Sequence, residues 1–333
     1  MGSEFAGRAP GRSQAGPHPL GGSADVAVGR GADRIAVIGA GLMGHGIAQV
    51  FALAGHAVRV HDVAADALAS LRERVARNLR ELGQDAAAAA RVQPCADLAE
   101  AVRDADVVFE AGPENLAWKQ ELFARLEALA PAHATLASNT SVIPITDIMA
   151  TVSSGARALG THWWNPPYLV PLVEVIKTPR TDAAVAQAMF ELLARVGKTP
   201  AMVEKDVPGF IGNRLQHALW REAIALVAAG VCDARTVDTV VKASFGRRLP
   251  VLGPLENADL VGTDLTLAIH RTVLPAIDAT PGPSPYLEQL VAQGRLGMKS
   301  GEGFRTWTAD EQAALRARVQ AHLKAMNAAD AAA

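Results

Sequence analysis

The sequence predicts an α/β protein: a doubly wound, mostly parallel sheet first, then an all-helical C-terminal domain. Three observations predict it. Short apolar, β-branched runs alternate with helical stretches between 34 and about 200. A glycine-rich turn links the first run to the first helix. Beyond Asp206 strand signals stop and helix follows helix. Half of the 333 residues are hydrophobic and a fifth are charged, enough apolar material for one large core or two smaller ones.

The elements follow in order. Residues 34–38 form an apolar run ending at Gly39, a buried strand. Residues 47–54 are helical, and Gly55 stops them at the C′ position. Residues 58–62 make a second strand, so the unit is strand, helix, strand, and its crossover implies parallel pairing. One helix is expected over 66–82, with Arg72, Arg74, Arg77 and Arg80 on its polar side, then a short helical turn at 86–90. Strands at 106–110, 134–137 and 158–162 and a helix at 116–129 continue the alternation. Asp206 is a candidate N-cap, with Pro208 in the first turn of the second domain, and Gly230, Gly246 and Gly253 are its stops.

The domain plan is a disordered leader at 1–33, opening on a Met1-Gly2-Ser3-Glu4-Phe5 cloning scar, a dinucleotide-binding domain at 34–206, a helical substrate and dimerisation domain at 207–320, and an alanine-rich tail at 321–333. Leu215, Leu219, Ala223, Leu226 and Val227 form an apolar stripe longer than a small isolated domain needs, which predicts a homodimer. A net charge of −2 gives no electrostatic case for nucleic acid or an anionic membrane surface. No apolar run reaches the roughly 18–20 residues of a membrane span. Cys95 and Cys232 are too few for a disulfide framework, so a reducing cytosol is the expected compartment. The nine histidines show no metal-binding spacing, and no metal is expected.

Gly39-Ala40-Gly41-Leu42-Met43-Gly44 stands where a strand meets a helix. There glycines permit a tight turn, close approach to a pyrophosphate and helix-on-strand packing, while the helix N-terminus supplies donors to the phosphates. Asp62 ends the second strand 23 residues after Gly39, where a carboxylate accepts from a ribose 2′-OH and repels a 2′-phosphate, so NAD is favoured over NADP. In the segment 161–176 two apolar runs flank an Asn165-Pro166-Pro167 bend. If the chain doubles back about Tyr168, His162 and Glu174 are equidistant from the fold point and face each other. A carboxylate bonded to imidazole raises its basicity, which suits a general base on an alcohol. Trp164 shares the face of His162 and walls the pocket. A histidine on an apolar strand serves as often in packing as in catalysis, so the residues alone leave both readings open.

The segments Ile38–Gly44, 109–115 (Phe-Glu-Ala-Gly-Pro-Glu-Asn) with Lys119, 137–141 (Ala-Ser-Asn-Thr-Ser), 162–166 (His-Trp-Trp-Asn-Pro) with 172–175, 206–214, 253–256 and 298–304 keep a common order and spacing. With them the chain from 34 to 307 resembles the L-3-hydroxyacyl-CoA dehydrogenase family. The resemblance implies NAD as cofactor and reversible hydride transfer at a 3-hydroxy or 3-oxo carbon. It implies His162 as the base, Glu174 as its orienting partner, and Ser141 and Asn213 as hydrogen-bonding partners of the reacting oxygen. It implies Gly39, Gly41, Leu42, Met43, Gly44, Asp62, Glu114, Lys119, Ser141, Asn165 and Lys299 as cofactor-binding residues, and it too points to a homodimer.

The sequence also departs from the family. The segment between Asp62 and Cys95 is too short for the long lysine-rich hairpin that grips CoA, and Asn78 and Asp85 fall about where the family's serine and lysine meet CoA. The His-Trp-Trp-Asn-Pro-Pro motif replaces the usual His-Phe-Phe-Asn-Pro and is similar to branches acting on small unthioesterified acids. The expected substrate is a small 3-hydroxy acid, with a CoA thioester of fatty-acid metabolism as the alternative. The short β-hydroxyacid dehydrogenases share a similar glycine loop but use a lysine base, which leaves the His162 and Glu174 pair unexplained. A non-catalytic, crystallin-like NAD-binding protein is the third reading, and retention of His162, Glu174, Ser141 and Asn213 together speaks against it.

Overall fold

The computed structural model describes residues 33–330, so the leader to residue 32 and the last three tail residues lie outside the described residues. The first half alternates β1 (Arg34–Ile38), α1 (Leu42–Leu53), β2 (Ala57–His61), α2 (Ala65–Ala69), α3 (Leu71–Glu81), a 3-10 turn at Ala86–Arg91, β3 (Val92–Cys95), α4 (Leu98–Val102), β4 (Val107–Glu110), α5 (Leu116–Leu129) and β5 (Thr135–Ser138). Then come α6 (Ile145–Ile148), β6 (Ala158–Trp163), β7 (Leu172–Ile176), α7 (Ala183–Arg195) and β8 (Thr199–Val203). The helical segment comprises α8 (Gly212–Ala228), α9 (Ala234–Ala243), α10 (Pro254–Val261), α11 (Thr263–Val273), α12 (Pro285–Ala292) and α13 (Ala309–Asp330).

The strands form one eight-stranded sheet in the order β3-β2-β1-β4-β5-β6-β7-β8. Every neighbouring pair is parallel except β6 and β7, joined by the short bend after Trp163. The central strands are buried on both faces, as a parallel sheet between helices must be. One face packs α1, α3 and α7 against Val37, Leu159 and Trp163. The other packs α4, α5 and α6 against Ile38, Leu136 and Ala158. The edge strands β3 and β8, not expected from the sequence, carry Pro94 and Pro200, which only an edge tolerates.

Three expectations are corrected. The single helix over 66–82 is two, α2 and α3, broken at Ser70. The Ala67 carbonyl that would continue it accepts from the Arg74 guanidinium at 2.8 Å, and the Ser70 hydroxyl turns back to Asp66 O at 2.9 Å. Asp206 does not cap the helix that follows it: its carboxylate accepts at 2.6 Å from Thr146 N in the first turn of α6, and α8 begins six residues later at Gly212. The alanine-rich stretch from 321 is no separate tail but continues α13 to Asp330, in keeping with alanine's helix propensity.

Glu127 of α5 ties the sheet's second face to the loop before β6. It accepts from Ser153 N (3.0 Å), Ser153 Oγ (2.7 Å), Ser154 N (2.6 Å) and Ser154 Oγ (2.6 Å). Burial pushes the carboxyl up, but these donors outweigh it and lower the pKa from 4.5 to about 2. The folded value lies below the unfolded one, so the stabilisation is present above pH 4.5 and is lost as pH falls towards about 2. The urea midpoint gap between wild type and Glu127→Ala is expected to be wide at about pH 6 and narrow at about pH 3. Equal gaps would contradict this account.

Candidate active site

The β1–α1 turn lies at the C-terminal edge of the sheet, where open α/β sheets bind ligands. Gly39 has φ +109°, and a Cβ there would stand 2.5 Å from Ala111 O. A Cβ on Gly44 would stand 1.7 Å from Gly39 O, so helix and turn close only around glycine. Gly41 differs: nothing lies within 4 Å of its Cβ position, leaving open space before the N-terminus of α1. That open cradle fits a pyrophosphate. Met43 packs on the core and Leu42 is exposed. Asp62 Oδ2 accepts from Ala40 N at 2.6 Å and Oδ1 from Ala64 N at 2.8 Å, which fixes the carboxylate beside the turn. A cleft of about 400 Å³ runs from Gly39, Gly41 and Asp62 to Gly112, Trp118 and Arg125. Trp118 folds over Gly112, where any Cβ would stand 2.1 Å from the indole; helical periodicity had given no reason to single it out.

The reversal of β7 places His162 directly opposite Glu174. His162 Nδ1 meets Glu174 Oε2 at 2.7 Å, and both residues are buried. Glu174 Oε1 accepts from Ile211 N at 2.9 Å and Gly212 N at 3.0 Å, so β7 supplies the cap of α8 that Asp206 does not. Burial pushes this carboxyl up, but the His162 bond and the Gly212 and Ile211 N–H groups outweigh it, and Glu174 stays below the usual carboxylate range. With Nδ1 engaged, Nε2 is the nitrogen left for a reacting hydroxyl. The His162 ring lies between Trp164 (5.3 Å) and Phe210 (5.5 Å). Phe210 is buried and has φ +51°, a left-handed conformation that costs about 1–3 kcal/mol in a non-glycine residue. With Gly209 at φ +75° it turns the chain so that α8 starts against Glu174.

Asn213, the second residue of α8, donates from Nδ2 to Ser141 O at 2.8 Å. Ser141 is exposed, and its N–H donates to Glu114 Oε1 at 2.9 Å, as do Thr140 Oγ1 at 2.6 Å and Val142 N at 3.2 Å. Burial raises the Glu114 carboxyl, but the Thr140 hydroxyl, the Lys119 ammonium and the backbone donors hold it below its usual range. Lys119 Nζ lies 3.5 Å from Glu114 and 2.7 Å from Glu110 Oε1, with its side chain 1% exposed. Glu110 is fully buried and also accepts from Gly112 N at 2.7 Å and Ser138 Oγ at 2.6 Å. Glu114 thus binds the 140–142 loop from an exposed position and Lys119 is buried behind it, and neither is among the cleft-lining residues. Glu110 and Phe210 were missed from sequence; an acid closing an apolar strand, with a lysine nine residues on, was the available signal. Asn165 is exposed on the bend, before a cis peptide bond to Pro166. Lys299 is exposed on the turn near Gly297 and does not line the cleft.

The 3-hydroxyacyl-CoA dehydrogenase NAD binding domain matches residues 34–207, and the C-terminal domain of the same family matches 209–307. The chain belongs to the 3-hydroxyacyl-CoA dehydrogenase family. It is similar to a Mesorhizobium japonicum protein named 5-formyl-3-hydroxy-2-methylpyridine 4-carboxylate 5-dehydrogenase, 34% identical over 288 residues, covering 85% of this chain and 93% of that protein. It is similar to the human mitochondrial hydroxyacyl-coenzyme A dehydrogenase, 38% identical over 287 residues, covering 81% and 90%. A crystal structure of a 5-formyl-3-hydroxy-2-methylpyridine 4-carboxylic acid 5-dehydrogenase, described as an NAD+ dependent dismutase, superposes with a TM-score of 0.82 at 33% identity, covering 88% of this chain and 96% of that one. The family member described here is an NAD-dependent dehydrogenase acting on a CH–OH group.

The glycine geometry separates two variants. Gly41→Ala is expected to fold with an unchanged melting temperature yet bind NADH about tenfold or more weakly, because its methyl fills the open cradle. Gly44→Ala is expected to lose stability outright, because its methyl meets backbone. Calorimetry and NADH fluorescence check both; a Gly41→Ala protein with wild-type NADH affinity contradicts the assignment.

Proposed function

We propose that this dehydrogenase oxidises the 3-hydroxy carbon of a small free hydroxy acid, reversibly, as a cytosolic homodimer. His162 Nε2 takes the hydroxyl proton, and Glu174 holds the ring and stabilises the imidazolium. Bound NAD would supply the hydride acceptor for the 3-hydroxy carbon. Asn213 and the Ser141 hydroxyl position the reacting oxygen, and Gly39, Gly41, Gly44 and Asp62 hold the dinucleotide. The Asp62 carboxylate disfavours a 2′-phosphate and so selects NAD.

One observation carries the free-acid reading: Asn78 and Asp85, which fall where the family meets CoA, and most of the neighbouring arginines are bonded within the chain. Asn78 is buried and lies 3.2 Å from His45 Nε2, while Asp85 caps the 3-10 turn through Ala87 N at 2.9 Å. Arg72 donates to Val92 O at 2.6 Å, Arg74 to Ala40 O at 2.7 Å, and Arg80 pairs with Glu73 at 2.6 Å. Arg77 is the one arginine of α3 without such a bond among the described residues. The Mesorhizobium relative's name likewise states a free carboxylate.

The test is NADH absorbance with 3-hydroxybutyrate beside 3-hydroxybutyryl-CoA. The two are expected to differ little in KM, since a tail that is not held adds no binding energy. A CoA ester better by about a hundredfold, with the advantage lost in Arg77→Ala, would establish the acyl-CoA reading instead. His162→Ala is expected to lower kcat by roughly two to four orders of magnitude while NADH still binds. Near wild-type kcat would mean that a group other than His162 is the base.

The dimer rests on the helical segment. Helices α8, α9, α10, α11 and α13 contain no buried residue, and Leu215, Trp220, Leu255, Leu260 and Leu267 are exposed. That much apolar surface is covered by a second copy of the chain. Light scattering at micromolar concentration is expected to give twice the chain mass, and a monomer would contradict it. No described helix is long and apolar enough to cross a membrane, and Cys95 and Cys232 are unpaired, which fits the cytosol.

A further inference from the structure

A cavity of about 570 Å³ lies away from both the glycine cleft and the histidine. It is bordered by α1, the bend after Trp163, the α7–β8 connection and the end of α13. His162 faces Phe210, which belongs to the α5 side of the sheet. Lys198 borders the cavity and lies 5.6 Å from the Trp163 ring, which belongs to the α1 side. The cavity is thus on the face of the sheet opposite the catalytic pair.

Two side chains on its wall lack what they need. Lys198 Nζ donates to Pro167 O and, at 3.1 Å, to Val170 O, yet no carboxylate lies within 4.0 Å of it among the described residues. Burial pushes its pKa down to about 8, the behaviour of a cation without a counter-charge. Two carbonyls use two of its three protons, leaving one donor. Gln49 is 1% exposed, and neither its Oε1 nor its Nε2 has a hydrogen-bond partner. Buried amides are satisfied in the great majority of proteins, so a free one on a cavity wall points to a ligand or ordered solvent. Arg195 adds a second positive charge, partly met by Asp33 at 3.5 Å, and Asp330 at the rim is the one acidic group among the described lining residues. Asn327 Nδ2 donates to Leu169 O at 2.9 Å and seats α13 as the last wall.

We propose that this cavity is a second ligand site, for a small molecule bearing a carboxylate or phosphate that pairs with Lys198 and bonds the Gln49 carboxamide. The test uses the enzyme saturated with NADH, so that the glycine cradle is filled. Inorganic phosphate and citrate are titrated separately by calorimetry. At least one is expected to bind saturably in the millimolar range, and the better probe identifies phosphate or carboxylate as the favoured group. Binding is expected to weaken about tenfold or more in Lys198→Met and in Gln49→Leu, with NADH affinity retained. If Lys198→Met fails to fold because it releases two carbonyls of the bend, Gln49→Leu decides alone. No saturable binding of either probe, or unchanged affinity in every folded variant, overturns the proposal.

Discussion

The Glu174 carboxylate is buried almost completely, and a charge in that position is expensive unless every lone pair is met. One oxygen takes the His162 ring, and the other takes the first free N–H groups of α8. The helix end contributes donors and the positive end of its dipole, so a single carboxylate orients the His162 ring and anchors the start of α8. The cost is visible next door, in the left-handed backbone of Phe210. Because α8 starts there, Asn213 falls within reach of the Ser141 carbonyl. From Ser141 the bonds run on through Glu114 and Lys119 to Glu110, deep in the sheet. The positions proposed for catalysis, far apart in sequence, are thereby joined by one run of hydrogen bonds, several of them to charged groups.

The same sheet places the dinucleotide. Gly39 abuts Ala111 beyond β4, so the glycine turn and the loop that carries Glu114 are built against each other. Gly112 gives its missing side-chain volume to Trp118. A Cβ at Gly39, Gly44 or Gly112 would disturb the cleft through backbone or indole contacts, whereas Gly41 alone faces the space a phosphate needs.

Much of this was legible in the residues because it depends on local period and symmetry. The equal distances of His162 and Glu174 from Tyr168 predicted their pairing, and the strand register agrees. Gly39, Gly41 and Asp62, read from the sequence as a nucleotide site, lie together on one cleft. What was not legible depends on partners distant in sequence. That Lys119 is buried against Glu110 is not visible in the residues alone. Asp206 reads as the cap of the helix after it until Thr146 of α6 claims it, and β3 and β8, each carrying a proline, are not singled out as strands. The break at Ser70 depends on where the Arg74 side chain goes. The apolar stripe on α8 was visible, but not that five helices would bury nothing within one chain.

The central claim is that Glu174 acts through His162 and not independently of it. A double-mutant cycle on kcat with His162→Ala and Glu174→Gln measures this most directly. The account predicts that the double variant, still binding NADH, is no slower than His162→Ala alone. Losses that multiply in the double variant would contradict it.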